Sequence, residues 1–149
     1  MKANPGVIKY PISFYASAQA LSGIQSPWST ESQSLKNNCA IPPEFQGPGG
    51  AFSPEDLFAQ ALTNCFIATF KVYAEKSKIS FEHLTTQAEL IADLDENLKP
   101  VMKKFLLHVR IAGCESPERV KTIVDKAFRS GFILNSVKTE LSLDLQITD

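Results

Sequence analysis

Ser53-Pro54-Glu55-Asp56-Leu57-Phe58-Ala59-Gln60-Ala61-Leu62-Thr63-Asn64-Cys65-Phe66-Ile67-Ala68-Thr69-Phe70 is the stretch that decides how the chain folds. Ser53 suits an N-cap, because its hydroxyl can accept a free amide of the first turn. Pro54 suits the first helical position, where no amide hydrogen is needed. Glu55 and Asp56 complement the positive end of a helix dipole. Beyond them the segment is apolar round most of its circumference, with only Gln60, Thr63, Asn64 and Lys71 as a narrow polar face. The pattern predicts a buried helix from about Pro54 to about Lys76. Leu57, Ala61, Cys65, Ala68 and Val72 share one stripe of the 3.6-residue period, and Phe58, Leu62 and Phe66 widen it. The segment is too short and too interrupted to be a membrane span. A lone cysteine in its middle is either inert packing or a protected reactive thiol.

Working outward, Asn37 to Gly50 is rich in Asn, Pro and Gly and reads as a loop, long enough to be functional or mobile. Before it, Ile12 to Ala18 alternates apolar and polar residues, as a half-buried strand does, and Ser29 to Leu35 reads as a second, more polar strand. After the helix, Leu84 to Asp93 and Lys104 to Ile111 alternate, with Asp95 to Pro100 as the turn between them. Ser116-Pro117-Glu118 repeats the start signal of the first helix, and Val120, Ile123, Val124, Ala127 and Phe128 form an apolar stripe. Gly131 stands where that helix should stop. Val137 to Ile147 alternates most regularly of all and predicts a long last strand.

The order is strands, helix, two strands, helix, strand. Hairpins imply antiparallel pairing with the helices on one face, an α+β fold. The first helix carries more apolar surface than one sheet of this size covers. Burial by a second copy would resolve that, so a homodimer is expected.

A chain of 149 residues, 44% hydrophobic, suits one soluble domain spanning residues 1–149. A net charge of -1 gives no reason to expect nucleic acid or an anionic membrane as partner. Met1 to Gly6 lacks the apolar run of a signal peptide, so a cytoplasmic location is expected. Cys39, Cys65 and Cys114 are odd in number and widely spaced, and they form no zinc pattern with His83 or His108. They read as free thiols, and neither metal nor cofactor is expected.

Pro42-Pro43-Glu44-Phe45-Gln46-Gly47-Pro48-Gly49-Gly50, running into Ser53-Pro54-Glu55-Asp56-Leu57 and then Ala61-Leu62-Thr63-Asn64-Cys65-Phe66, resembles the OsmC/Ohr family of peroxide-stress proteins. The resemblance implies an intertwined homodimer in which antiparallel β-sheets wrap two long central helices per subunit. It implies reduction of organic or inorganic hydroperoxides by a peroxidatic cysteine on the first central helix. A second cysteine then closes a disulfide, which thiols or lipoylated proteins reduce. In the family an arginine holds the thiolate and a glutamate of the P-E-x-L motif positions that arginine. Carried across, Cys65 matches the peroxidatic cysteine and Glu55 the glutamate. The second cysteine has no counterpart, because its run corresponds to Gly131-Phe132-Ile133-Leu134. The arginine falls on or near Glu44, and no arginine precedes Arg110.

Peroxide reduction needs a thiolate, and an unperturbed cysteine titrates near ~8.5. A helix dipole fades beyond the first turn, and Cys65 lies about three turns inside. A cation must therefore stand near it. Arg110, Arg129, Lys71 or a histidine could serve, from this chain or a partner. Cys39 or Cys114 could replace the missing resolving cysteine, or be incidental. The expected function is a one-cysteine hydroperoxide reductase using Cys65 and an external thiol or dithiol. The alternatives are a non-catalytic small-molecule binding protein and a redox-sensing protein of the same fold.

Overall fold

The computed structural model describes residues 8–149 and divides into two compact units between Pro54 and Glu55. The reading of Met1 to Gly6 lies outside the described residues.

The first unit holds a three-stranded antiparallel sheet: β1 (Ser17–Gln19), β2 (Trp28–Ser32) and β3 (Leu35–Cys39). The strand expected over Ile12 to Ala18 is reduced to β1, and its residues are exposed, Phe14 most of all at 85%. The register explains why. Ser17 pairs with Glu31, so Ala16 falls opposite Ser32, the last residue of β2, and Tyr15 and the residues before it fall beyond it, where the partner strand turns back. Gln33 and Ser34 make that turn with φ of 53° and 64°, the left-handed pair that matches hairpin twist. Ser32 Oγ still donates to the Tyr15 carbonyl at 3.2 Å, a side-chain contact in place of a ladder bond.

Part of the expected loop is strand, since β3 runs on to Cys39. A short 3-10 turn, Pro43–Phe45, follows. Gly47 is required there, because any side chain would collide with the Ile41 carbonyl.

The second unit carries α1 (Pro54–Lys76, whose first residue closes the first unit), β4 (His83–Leu94), β5 (Pro100–Ala112), α2 (Pro117–Ser130) and β6 (Glu140–Thr148). Its sheet has the order β4-β5-β6. β4 and β5 form the expected antiparallel hairpin. β6 instead joins β5 in parallel, because α2 carries the chain back across the sheet before β6 begins. As the central strand, β5 has one face wholly buried: Phe105, Leu107, Val109 and Ile111. They share one core with Leu62, Phe66, Phe70 and Ala74 of α1, with Val120, Ile123, Val124 and Ala127 of α2, and with Leu134. Each large side chain fully buried there contributes roughly 1.5–3 kcal/mol.

The stripe that α1 buries is Leu62, Phe66, Phe70 and Ala74, not the predicted Leu57, Ala61, Cys65, Ala68 and Val72. The line with two phenylalanines takes the core because it removes more apolar area from water. Ala68 and Val72 are left exposed, and Ala61 and Cys65 half-buried. Among the described residues no helix is long and apolar enough to cross a membrane.

Candidate functional site

Cys65 sits midway along α1 and is half-buried. Thr69, one turn on, donates its hydroxyl to the Cys65 carbonyl at 2.7 Å. The other wall comes from α2, which runs antiparallel to α1. At one end Arg119 Nη2 donates to the Ser77 carbonyl at 2.6 Å, beside the C-terminus of α1. In the middle Phe128 meets Phe66 edge-on at 6.4 Å between centroids, and Lys126 Nζ lies 4.7 Å from the Tyr73 ring centre. At the other end the backbone of Gly131 comes against Cys65 Sγ, so close that a Cβ on Gly131 would lie 2.7 Å from the sulfur.

Gly131 does end α2, as expected, but not in the left-handed conformation usual for a terminal glycine. Its φ of -63° and ψ of 141° are extended. It makes a close approach to Cys65, which the periodicity of the sequence could not reveal because the partner lies far off along the chain, on another helix. Thr69 also stands outside the sequence reading, although its i+4 spacing from Cys65 is a usable signal.

Cys114 does not join the site. It precedes α2, whose 14 residues span about 21 Å and whose far end meets Cys65. That gap far exceeds the reach of a disulfide. In the first unit Cys39 is 2% exposed at the end of β3, where its backbone bridges to Phe52. All three cysteines are free.

The expected cations are placed elsewhere within this unit. Arg110 and His108 alternate with buried Val109 and Ile111, so they project from the sheet face opposite the helices. There Arg110 donates to Gln146 Oε1 at 3.2 Å, and His108 Nδ1 meets Asp144 Oδ2 at 3.2 Å. Arg129 pairs with Asp125 on the exposed side of α2. Lys71 is exposed on α1, and His83 is exposed at the start of β4. Glu55, in the first turn of α1, stands ten residues before Cys65, about 15 Å along the axis. One helix therefore does not bring the two together. Among the described residues no group of His, Cys, Asp or Glu could hold a metal ion.

Residues 47–146 match the family model described as OsmC-like protein. The chain belongs to the OsmC-like family. It is 25% identical over 138 residues to an uncharacterized protein of Acinetobacter baylyi, covering 90% of this chain and 92% of that one. Among solved structures, an OsmC-like protein of unknown function from Vibrio cholerae superposes with a TM-score of 0.75 at 22% identity, over 89% of this chain and 99% of that one. An organic hydroperoxide resistance protein OsmC from Legionella pneumophila, also described as a predicted redox protein, superposes with a TM-score of 0.71 at 26% identity, over 93% of this chain and 100% of that one. The two helices and two sheets described above are thus the OsmC-like fold, and the segment from Gly47 through α1 to Gln146 is its matched part.

Proposed function

We propose that this protein reduces organic or inorganic hydroperoxides at the expense of external thiols, with Cys65 as the residue oxidised. The observation that carries the reading is a half-buried thiol in the middle of α1 of an OsmC-like chain, not fully buried as the Cys39 thiol is. The Legionella protein, named for organic hydroperoxide resistance, lends support at 26% identity.

In the reaction the Cys65 thiolate attacks one peroxide oxygen. An S–O bond forms, the O–O bond breaks, and the alkoxide leaves and takes up a proton as the alcohol. Cys65 is left as the sulfenic acid. An external thiol attacks that sulfur, an S–S bond forms, and the hydroxyl departs with a proton as water. A second thiol displaces the first, which frees Cys65 and yields a disulfide. One peroxide and two thiols thus give alcohol, water and a disulfide. The placement of Cys114 supports a one-cysteine cycle.

The protein acts as a homodimer in this reading. The stripe of α1 that its own sheet leaves uncovered, Ala61, Cys65, Ala68 and Val72, is the surface a second copy covers. In this reading the second copy supplies both the activating cation and the Glu55 carboxylate.

The dispersal of Arg110, Arg129 and His108 favours a second reading, a non-catalytic small-molecule binding or redox-sensing protein. Peroxide consumption by wild type and Cys65→Ser, with monothiol and with dithiol reductants, separates the two. Turnover lost in Cys65→Ser is the expected result. Equal background rates in both proteins would remove the enzymatic reading.

A further inference from the structure

Gly131 is buried, and its backbone conformation is one that any residue adopts. The glycine is therefore not needed for a turn. What it alone supplies is room. A Cβ at this position would lie 2.7 Å from Cys65 Sγ, 3.1 Å from Leu134 Cδ1 and 3.3 Å from Thr69 Oγ1. The first distance is well inside non-bonded contact, so the sulfur occupies the notch that a side chain would fill.

The backbone round the notch is tied down. The Gly131 amide donates to the Ala127 carbonyl at 3.2 Å, and its carbonyl accepts the Asn135 amide at 2.8 Å. Ser130 Oγ donates to the Lys126 carbonyl at 2.7 Å and lies 2.9 Å from the Tyr73 hydroxyl. With the backbone fixed, a new side chain displaces the sulfur. A helical cysteine has in practice two χ1 wells, so displacement means a swing into the other.

We propose that Gly131 is a positioning residue for Cys65. Having no side chain, it seats Sγ against the end of α2 and so sets the direction from which an electrophile or a hydroperoxide meets the sulfur. The functional meaning rests on the peroxidatic reading of Cys65; the contact itself can be tested without it. The family's second cysteine falls in the run that begins here, and the geometry agrees with that correspondence, since a Cβ and the far sulfur of a disulfide are about 3 Å apart.

The experiment compares Gly131→Ala in wild type and in Cys65→Ala. In wild type the substitution lowers Tm by roughly 2–12 °C, the shift that overpacking gives in a chain of this size, and in Cys65→Ala most of that loss disappears. The rate of Cys65 alkylation by iodoacetamide, followed across the pH range, changes about fivefold or more in Gly131→Ala, corresponding to an altered sulfur environment. Gly131→Cys, treated with diamide, which takes up the two electrons and two protons, forms a disulfide between Cys65 and the introduced thiol, seen as a loss of two hydrogens in mass. Equal Tm losses in both backgrounds would place the clash on Leu134 or Thr69 and overturn the proposal. An unchanged alkylation rate, or no disulfide from Cys65 to the introduced thiol, would do the same. None of these readouts uses a hydroperoxide. A wild type inert to hydroperoxide with the coupling intact removes the peroxidase reading and leaves Gly131 as the seat of the sulfur.

Discussion

At the scale of single residues, the molecule separates packing from reactivity along one helix. Phe66 is fully buried and stacks with Phe70 at 5.9 Å between centroids, while its neighbour Cys65 stays half-buried. Phe66→Ala is expected to cost about 3–5 kcal/mol, read from denaturant or thermal melts, because it opens a cavity among Phe70, Phe128 and the β5 side chains. A loss under about 1 kcal/mol would mean that Phe66 is not a central core residue. Cys65→Ser removes little packing and should leave the melt nearly unchanged while ending hydroperoxide turnover. A variant that melts like wild type and still turns over hydroperoxide would place the chemistry on another residue. The sequence made Cys65 legible because the motif round it is local. The resemblance also put the run from Gly131 near Cys65, where the family closes its disulfide; the tightness of the notch was not legible, because two helices create it only by docking.

At the scale of elements, the ends of α1 and the β4–β5 turn show where the chain tolerates cost. α1 closes with the Ile79 amide on the Ala74 carbonyl at 2.8 Å and the Lys78 amide on the Glu75 carbonyl at 3.1 Å, with Lys78 at φ 55°. This is a Schellman closure built on a residue other than glycine. Lys78→Gly should therefore stabilise the protein by about 1 kcal/mol in chemical denaturation, and a destabilised variant would mean that the lysine side chain outweighs its backbone strain. In the turn, Asp95 Oδ1 accepts the amides of Asn97 at 2.8 Å and Lys99 at 3.0 Å. The Lys99 amide, with help from Asn97 and from Lys138 and Lys103, holds the Asp95 carboxyl below the usual carboxylate range. A depressed folded-state pKa gives stability that is present above the unfolded value and is lost as pH falls through the folded one. Wild type should thus lose stability relative to Asp95→Asn on going from neutral pH to below about 3.9, and parallel pH profiles would show that the carboxylate does not organise the turn. Both helices and the β4–β5 hairpin were legible because their periodicity is local. The parallel seat of β6 and the truncation of β1 were not, since each depends on where a distant partner strand begins or ends.

At the scale of the whole molecule, the partly exposed stripe of α1 from Ala61 to Val72 is the feature that one copy leaves unfinished. Sedimentation should give a mass near twice 16.4 kDa, and Val72→Asp, at a residue 49% exposed in one copy, should shift it toward the single-chain value. A wild type that sediments as a monomer at micromolar concentration would remove the homodimer from the proposed function. The order of the β4-β5-β6 sheet carries a consequence of a different kind. β5 lies in the middle, yet its parallel neighbour β6 reaches it only after a whole intervening helix. On the ribosome, β5 and α2 emerge first, and the strand at the heart of the core keeps a bare edge until β6 follows. Chains cut short before Glu140 would carry that edge permanently and should be recovered as aggregates, so β6 serves as the seal on the sheet as well as part of it.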